Sequence, residues 1–434
     1  MTDIQRQRSF LLFVIFLFSV VYFVGISEVP FHPDESTQIF MSRDVQIFFS
    51  QPLSLAYDDE KSEDLRQRYR LLDPPLSRWF IGLTSIVFNV PPLSADWDWS
   101  KTWDENARTG ALPSPYTLLV SRLAVSFVFP FLLYTVYKTG ETLAGRTTAW
   151  INLILTANNA LILLHTRRAM AESLLMLFTC LSIYFLVNRA KPSWLLAIPI
   201  TLAFNAKYST APLVFVGMIY CLMNTSNQPP SFLLRLKSAL LYLTIFFLLT
   251  FFLNPVLWSS PLDALKAAVI ERHNLLTAQS AAIGGFNPSQ TPQTLSGRML
   301  ALIAQLFIAP PAVADVGNYL AATELPTQIY FSRPWHNLTN GFFVGGFFLS
   351  LSIIGLFWMV RHNWRMLLNF SNPPTLLLMA FIGQFAGIIG GIPLAFQRYY
   401  LPLLPYITLF IGYAISQGIY LSKNATTRDT QQPN

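Results

Sequence analysis

The sequence predicts an all-α protein embedded in a membrane, with about ten transmembrane segments and two large outer loops. Three observations carry that expectation. Of 434 residues, 53% are hydrophobic and 12% charged, about half the ~25% charge of a soluble domain. Mean hydropathy is +0.43. This composition excludes an ordinary soluble enzyme and a disordered chain. The apolar residues gather into runs near 10–26, 115–137, 148–164, 171–187, 193–204, 210–223, 238–253, 341–360, 375–395 and 401–421, most of them close to the ~20 residues that cross a bilayer core. The short loops assigned to the inner side are all basic, as the positive-inside bias requires.

The first run follows Arg6 and Arg8 and ends at Ser27-Glu28-Val29-Pro30, with no small-residue cleavage site. It reads as an uncleaved membrane helix with a cytoplasmic N-terminus. The inner loops are then 138–147, 188–192, 224–237, 361–374 and the tail. They carry Lys138, Arg146, Arg189, Lys191, Arg235, Lys237, Arg361, Arg365, Lys423 and Arg428 against only Glu141 and Asp429. The net charge of +7 therefore reports topology rather than nucleic-acid binding. Cys180 and Cys221 both lie in apolar runs, so neither a disulfide framework nor a cysteine metal site is expected. The runs at 193–204 and 210–223 are short and separated by Asn205-Ala206-Lys207-Tyr208. They fit a broken pair of half-helices, because irregular backbone at that depth is tolerated only when buried in protein or lining a cavity.

The chain divides accordingly into a first membrane helix (1–27), a first outer loop (28–114), membrane helices two to seven (115–253), a second outer loop (254–340), the C-terminal membrane helices (341–421) and a polar cytoplasmic tail (422–434). The first outer loop holds 14 of the 22 acids. Transporters usually keep such loops small, and no repeat relates the two halves of the chain, which weakens that reading.

Phe31-His32-Pro33-Asp34-Glu35-Ser36 follows the first helix directly. Pro33 favours a helix start, and 34–49 reads as one amphipathic helix whose Ile39, Phe40, Ile47 and Phe48 can lie on the bilayer. Asp34 and Glu35 then sit in its first turn at the lipid–water boundary. The bland alternative is a pair of acids complementing the helix dipole. Leu72-Asp73-Pro74-Pro75-Leu76-Ser77-Arg78 follows as a rigid turn into an apolar helix at 77–88. Trp97, Trp99 and Trp103 interleave with Asp96, Asp98, Asp104 and Glu105, which reads as an aromatic belt or as a surface for stacking on sugar rings.

These residues carry a resemblance. The acid pair in His32-Pro33-Asp34-Glu35 resembles that of the lipid-phosphate-sugar-dependent glycosyltransferases of the C-type fold (GT-C), in particular the protein O-mannosyltransferase-like family 39 and its aminoarabinose-transferase relatives. Pro74-Pro75-Leu76, Ser121-Arg122-Leu123, Thr166-Arg167-Arg168-Ala169-Met170-Ala171-Glu172, Asn205-Ala206-Lys207-Tyr208, Asn254-Pro255-Val256-Leu257-Trp258, Arg333-Pro334-Trp335-His336 and Gln397-Arg398-Tyr399-Tyr400-Leu401-Pro402-Leu403 are similar to that family's motifs, in order, over most of the chain. Asp73 departs from it, because His or Glu often precedes Pro-Pro-Leu there. The Trp-Trp-Asp-Tyr-Gly signature of the oligosaccharyltransferase branch is missing from the sequence.

The resemblance implies transfer of a sugar from a polyprenyl-phosphate donor, with inversion, to a hydroxyl on a protein, lipid or polysaccharide at the outer face of the cell membrane. The chemistry can be argued independently. An attacking hydroxyl must lose its proton, and a positioned carboxylate that takes it gives typically ~10²–10⁴-fold. Asp34 is the candidate base, and Glu35 a second catalytic acid that orients the acceptor or holds a loop. The departing lipid phosphate gathers negative charge, which preplaced cations stabilise. Arg122, Lys207, Arg398, Arg78 and Arg168, with its neighbour Arg167, are the candidate donor-phosphate ligands, since charged residues at membrane depth are functional hypotheses by default. Snorkelling to headgroups is the alternative for each. His32, Tyr208, Trp258, His336 and Tyr399 complete the candidate substrate pocket, with a structural loop histidine as the other reading of His336. The five histidines (His32, His165, His273, His336 and His362) show no metal-ligand spacing, so neither metal nor cofactor is expected, although Asp34 and Glu35 are acids that a divalent ion accepts. Gly284-Gly285 reads as a hinge. The acceptor-like triplets at 224–226, 337–339 and 424–426 are of a kind frequent by chance. A transporter or lipid-glycan flippase is the runner-up; a ligand-binding receptor is weaker, for want of a sensor domain.

Overall fold

In the computed structural model, residues 3–189, 192–223, 231–314, 317 and 319–429 are described, the side chains of 3, 286 and 423–429 excepted. Lys191, the triplet at 224–226, the end of the tail and the side chains of Lys423, Arg428 and Asp429 lie outside the described residues. All regular structure among the described residues is helical.

Among the described residues, six helices are long and apolar enough to cross a membrane: Ile4–Val24, Pro115–Ala144, Phe232–Leu253, Phe342–Met366, Pro373–Gly391 and Gln397–Ser422. Shorter apolar helices are Leu76–Val87, Glu172–Val187, Ser193–Ala206, Tyr208–Met223 and Leu295–Ile308. The run at 148–164 is two helices, Arg146–Asn158 and Ala160–His165. Asn159 divides them: its own backbone is extended and its Oδ1 accepts the N–H groups of Leu161 and Ile162 at 3.1 Å each, a side-chain cap that starts a new helix. The run at 193–223 breaks at Lys207, which is extended (φ −157°, ψ 125°) between Ala197–Ala206 and a short 3₁₀ turn. Pro212 one turn on cannot continue a preceding helix without losing a backbone donor.

The amphipathic stretch after the first helix differs from the expectation. It is two helices, Pro33–Met41 and Asp44–Ser50, and Ile39 and Phe40 are buried in the protein core rather than facing outward. The core supplies the reason: Ile39 and Phe40 pack in one cluster with Leu76, Ile81 and residues of the second membrane segment. Only the second piece presents an outward apolar side chain, Phe49.

The second loop is built on the helix Pro261–Phe286, which packs on Leu65–Leu72 of the first loop. Arg68 Nε donates to Glu271 Oε2 at 3.1 Å, and Arg272 Nη2 donates to the Leu72 carbonyl at 2.8 Å. The two large loops are thus fastened to each other.

Close helix packing depends on small residues at a few points, as in membrane bundles generally. A Cβ added to Gly355 would lie 1.9 Å from the carbonyl oxygen of Phe410. Gly355→Ala is therefore expected to lower stability by about 1–3 kcal/mol, the usual cost of overpacking. Gly346→Ala on the same helix meets no atom within 4 Å and serves as the neutral control in a thermal unfolding comparison. Equal midpoints for the two variants would disprove the packing assignment.

Candidate functional site

The four residues His32-Pro33-Asp34-Glu35 face four ways because a helix starts among them. His32 is the N-cap: its Nδ1 accepts the Asp34 N–H at 3.1 Å, while its own N–H donates to Glu35 Oε2 at 3.0 Å. This reciprocal arrangement is a capping box. Pro33 occupies the first helical position, where its missing N–H costs nothing. Consecutive helix residues point about 100° apart. Glu35 consequently turns into the protein and Asp34 out of it.

Glu35 is fully buried. Arg122 grips it twice, Nε to Oε1 at 2.7 Å and Nη2 to Oε2 at 2.8 Å, and the Ala169 N–H donates to Oε1 at 2.8 Å. The remaining reach of Arg122 goes to the carbonyls of Ile26 and Val29, at 2.9 and 2.8 Å. Burial works against the Glu35 charge, but Arg122, Arg168 and the Ala169 amide outweigh it and hold the carboxyl below its ordinary range. The geometry corrects two expectations. Glu35 has its oxygens filled by protein donors, and Arg122 is 2% exposed. Together they join the end of the first helix, the first loop, the second membrane segment and the 166–171 turn.

Arg168 and Arg167 are also buried staples. Arg168 Nη2 donates to the carbonyls of Pro30 and Val313, at 3.3 and 2.5 Å. Arg167 donates to the carbonyls of Tyr22 and Val21 and meets His336 Nε2 at 3.1 Å. His336 is buried, stacks on Tyr330 with ring centroids 3.8 Å apart, and places Nδ1 2.8 Å from the Tyr330 carbonyl. It is a structural loop histidine. His32 is likewise occupied as a cap and packs edge-on against Tyr319. Arg78 turns to Asp44 at 3.5 Å and to the Asp73 carbonyl at 2.6 Å, beside the bidentate Arg70–Asp44 pair. Trp258 donates to the Phe251 carbonyl at 2.8 Å and joins Phe48, which meets Trp79, in an aromatic group. These assignments differ from a donor-binding or pocket-lining role for the same physical reason: each of these side chains bonds partners within the chain.

Four of the expected residues do come together, from three distant parts of the sequence. Asp34 pairs with Arg398 through Oδ2 and Nη1. The Arg398 guanidinium lies 5.5 Å from the centre of the Tyr399 ring, and Lys207 Nζ lies 5.0 Å from the same ring. Lys207 Nζ also donates to Glu172 Oε1 at 2.9 Å. Side-chain exposure rises across the cluster from 11% at Arg398 to 21% at Lys207 and 33% at Asp34, so the buried fold ends here in a polar opening. Tyr208, next to Lys207, packs on Phe204.

Sequence reasoning missed the partners of this cluster. Glu172 is 2% exposed and its Oε2 has no partner among the described residues; an acid at membrane depth in the same chain as Lys207 was the available signal. Tyr69 donates to Asp96 Oδ2 at 2.5 Å. Burial raises the Asp96 carboxyl, with the Tyr69 hydrogen bond opposing it and the charge of Asp34 adding to it, so the pair stands near the cluster. No signal short of the fold places residues 69 and 96 there. Among the described residues no three His, Cys, Asp or Glu side chains are grouped as metal ligands.

No protein-family profile matches the chain, and no curated protein sequence matches it. Two of the solved structures that resemble it do so over nearly its whole length. One is ArnT from Cupriavidus metallidurans bound to undecaprenyl phosphate: 13% identity, TM-score 0.51, covering 96% of this chain and 63% of ArnT. The other is the archaeal oligosaccharyltransferase AglB from Archaeoglobus fulgidus, in complex with an inhibitory peptide and a dolichol-phosphate: 11% identity, TM-score 0.50, covering 98% of this chain and 53% of AglB. The chain therefore spans less than two thirds of either protein's length. The likeness establishes the fold, which is the GT-C fold.

Proposed function

We propose that the chain is a multi-pass membrane glycosyltransferase that moves a sugar from a polyprenyl-phosphate donor to a hydroxyl acceptor on a protein, lipid or polysaccharide at the outer face, with inversion. The observation that carries the reading is the cluster of Asp34, Arg398, Tyr399 and Lys207: one half-exposed carboxylate beside two cations that share an aromatic ring. The fold supports it, since ArnT and AglB, which resemble this chain, were solved with lipid phosphates bound.

In this reading Asp34 accepts the proton of the acceptor hydroxyl as its oxygen forms a bond to the anomeric carbon. The bond from that carbon to the phosphate oxygen breaks, and the phosphate leaves with the electron pair. Arg398 and Lys207 meet the charge that develops there, which fixed cations in a water-poor site do efficiently. Without donor, Arg398 holds Asp34. A donor phosphate competes for the guanidinium, whose planar fork suits phosphate oxygens, and so frees the base only when substrate is present. Lys207, paired with Glu172, contributes as a point charge.

The test is transfer from radiolabelled undecaprenyl-phosphate sugars in proteoliposomes, read as label released from the lipid. Wild-type protein is expected to transfer. Arg398→Ala and Lys207→Ala are each expected to raise the donor KM by about tenfold or more, the scale of one charge-assisted contact; Lys207→Ala is also expected to lower the unfolding midpoint, because it leaves the buried Glu172 carboxylate unpaired. No release from any donor, together with movement of intact lipid between leaflets, would replace the reading with that of a flippase.

A further inference from the structure

Gln397 stands one residue before Arg398 and is 1% exposed. Both belong to the short helix Gln397–Tyr400, where consecutive residues point about 100° apart. Gln397 therefore turns into the protein while Arg398 reaches Asp34. What Gln397 meets is a stretch of the second loop whose backbone lacks regular partners. Ala304–Ile308 form a π-helical turn, closed by the Ala309 N–H on the Ala304 carbonyl at 2.7 Å. The next bond of that ladder would run from residue 310 to the Gln305 carbonyl, but Pro310 and Pro311 carry no N–H. Gln397 supplies the missing donors. Its Nε2 donates to the carbonyls of Gln305 and Pro310, at 3.1 and 2.9 Å. Its Oε1 accepts the N–H of Ala312, the first backbone donor after the two prolines, at 2.5 Å.

The same stretch is tied, one residue further on, to the segment that carries Asp34. Arg168 Nη2 donates to the carbonyls of both Val313 and Pro30, and the adjoining Ala169 N–H holds Glu35, the neighbour of Asp34. Residues 305–313 thus run as a strap between the two halves of the Asp34–Arg398 pair, with Gln397 gripping one end and Arg168 the other. A buried amide filled on both its nitrogen and its oxygen holds a fixed orientation, because a turned amide would set N–H against N–H and oxygen against oxygen. We infer that Gln397 is a positioning residue: by fixing the strap against the start of its own helix, it sets where the Arg398 guanidinium stands relative to Asp34, and so where a donor phosphate is met. Its amide is occupied by the strap, so it acts through Arg398 and not on the substrate. This rests on the proposed function and names the part of the chain that places its phosphate ligand.

The test reads binding of undecaprenyl phosphate, titrated into full-length protein in nanodiscs, and needs no turnover. Gln397→Ala is expected to weaken binding by about tenfold, the lower end of what a hydrogen bond to a charged group supplies. In an Arg398→Ala background the same substitution is expected to change binding by less than about twofold, because a residue that acts through Arg398 has nothing left to place; the double-mutant cycle isolates that coupling. A role confined to holding the fold would instead lower the unfolding midpoint and weaken binding by the same factor in both backgrounds. Gln397→Met keeps the length and most of the volume if Ala does not fold. A wild type that does not bind this lipid, Gln397 variants that bind it as wild type does, equal weakening in both backgrounds, or an Arg398→Ala protein with wild-type binding would overturn the assignment. Transfer is measured in parallel: if wild type transfers and the Gln397 variants bind normally, only this inference falls, whereas if the Gln397 effect depends on Arg398 but nothing is transferred from any donor, only the glycosyltransferase reading falls.

Discussion

Asp34→Asn is expected to cut sugar transfer by about 10²–10⁴-fold, the usual worth of a general base, with the protein folded as before. The structure explains why the two outcomes separate. Asp34 is 33% exposed and its ion-pair partner Arg398 is near the opening. Its backbone amide, not its carboxylate, takes part in the helix cap. Asparagine keeps the shape and an acceptor oxygen for Arg398 and removes only the basicity. The measurement is single-turnover release of labelled sugar, with the unfolding midpoint recorded on the same preparation. Transfer at the wild-type rate by a folded variant would remove Asp34 as the base. Unchanged donor binding alongside lost turnover would assign the defect to the chemical step.

The neighbouring acid is expected to behave in the opposite way. Glu35→Ala leaves Arg122 buried with two carbonyls and no anion, and Arg122→Ala strands a fully buried carboxylate. Removing one partner of a buried pair costs about 3–5 kcal/mol, enough to unfold many proteins whose total stability is about 5–15 kcal/mol. Both variants are expected to show lowered midpoints and poor recovery from the membrane. A double-mutant cycle with hydrophobic replacements of similar volume (Glu35→Leu, Arg122→Met) is expected to show strong coupling, because the cost lies in the uncompensated charge. The pH dependence follows from the lowered Glu35 carboxyl. Its folded value lies below its unfolded one, so the stabilisation is complete above the unfolded value and disappears as pH falls through the folded value. A Glu35→Ala protein with wild-type midpoint would contradict the buried geometry.

The two variants together show what the sequence could and could not say. His32-Pro33-Asp34-Glu35 was legible as an acid pair at a helix start beside the first membrane helix, and the break at Lys207 was legible from the polar residues between two short apolar runs. Arg398 and Tyr399 were legible as polar residues at the head of an apolar run. Those features are local: capping, proline, hydrophobic length and charge bias are set within a few residues. The family resemblance, carried by ordered short motifs, pointed to the same fold that the structure has.

Which acid faces the opening was not local. Asp34 and Glu35 differ by one step around a helix, and their fates are decided by what lies on each side: Arg398, 364 positions away, for the first, and Arg122 and Ala169, 87 and 134 positions away, for the second. The same holds for the arginines. Arg78, Arg122, Arg167 and Arg168 looked alike as cations near the outer surface, but tertiary packing closed them against carbonyls and carboxylates, because a buried guanidinium must fill its donors within the protein. Chain-local patterns fixed the membrane architecture and the neighbourhood of the site. Only the three-dimensional meeting of distant segments decided which charges were closed inside the protein and which, at Asp34, Lys207 and Arg398, pair where the fold is partly open.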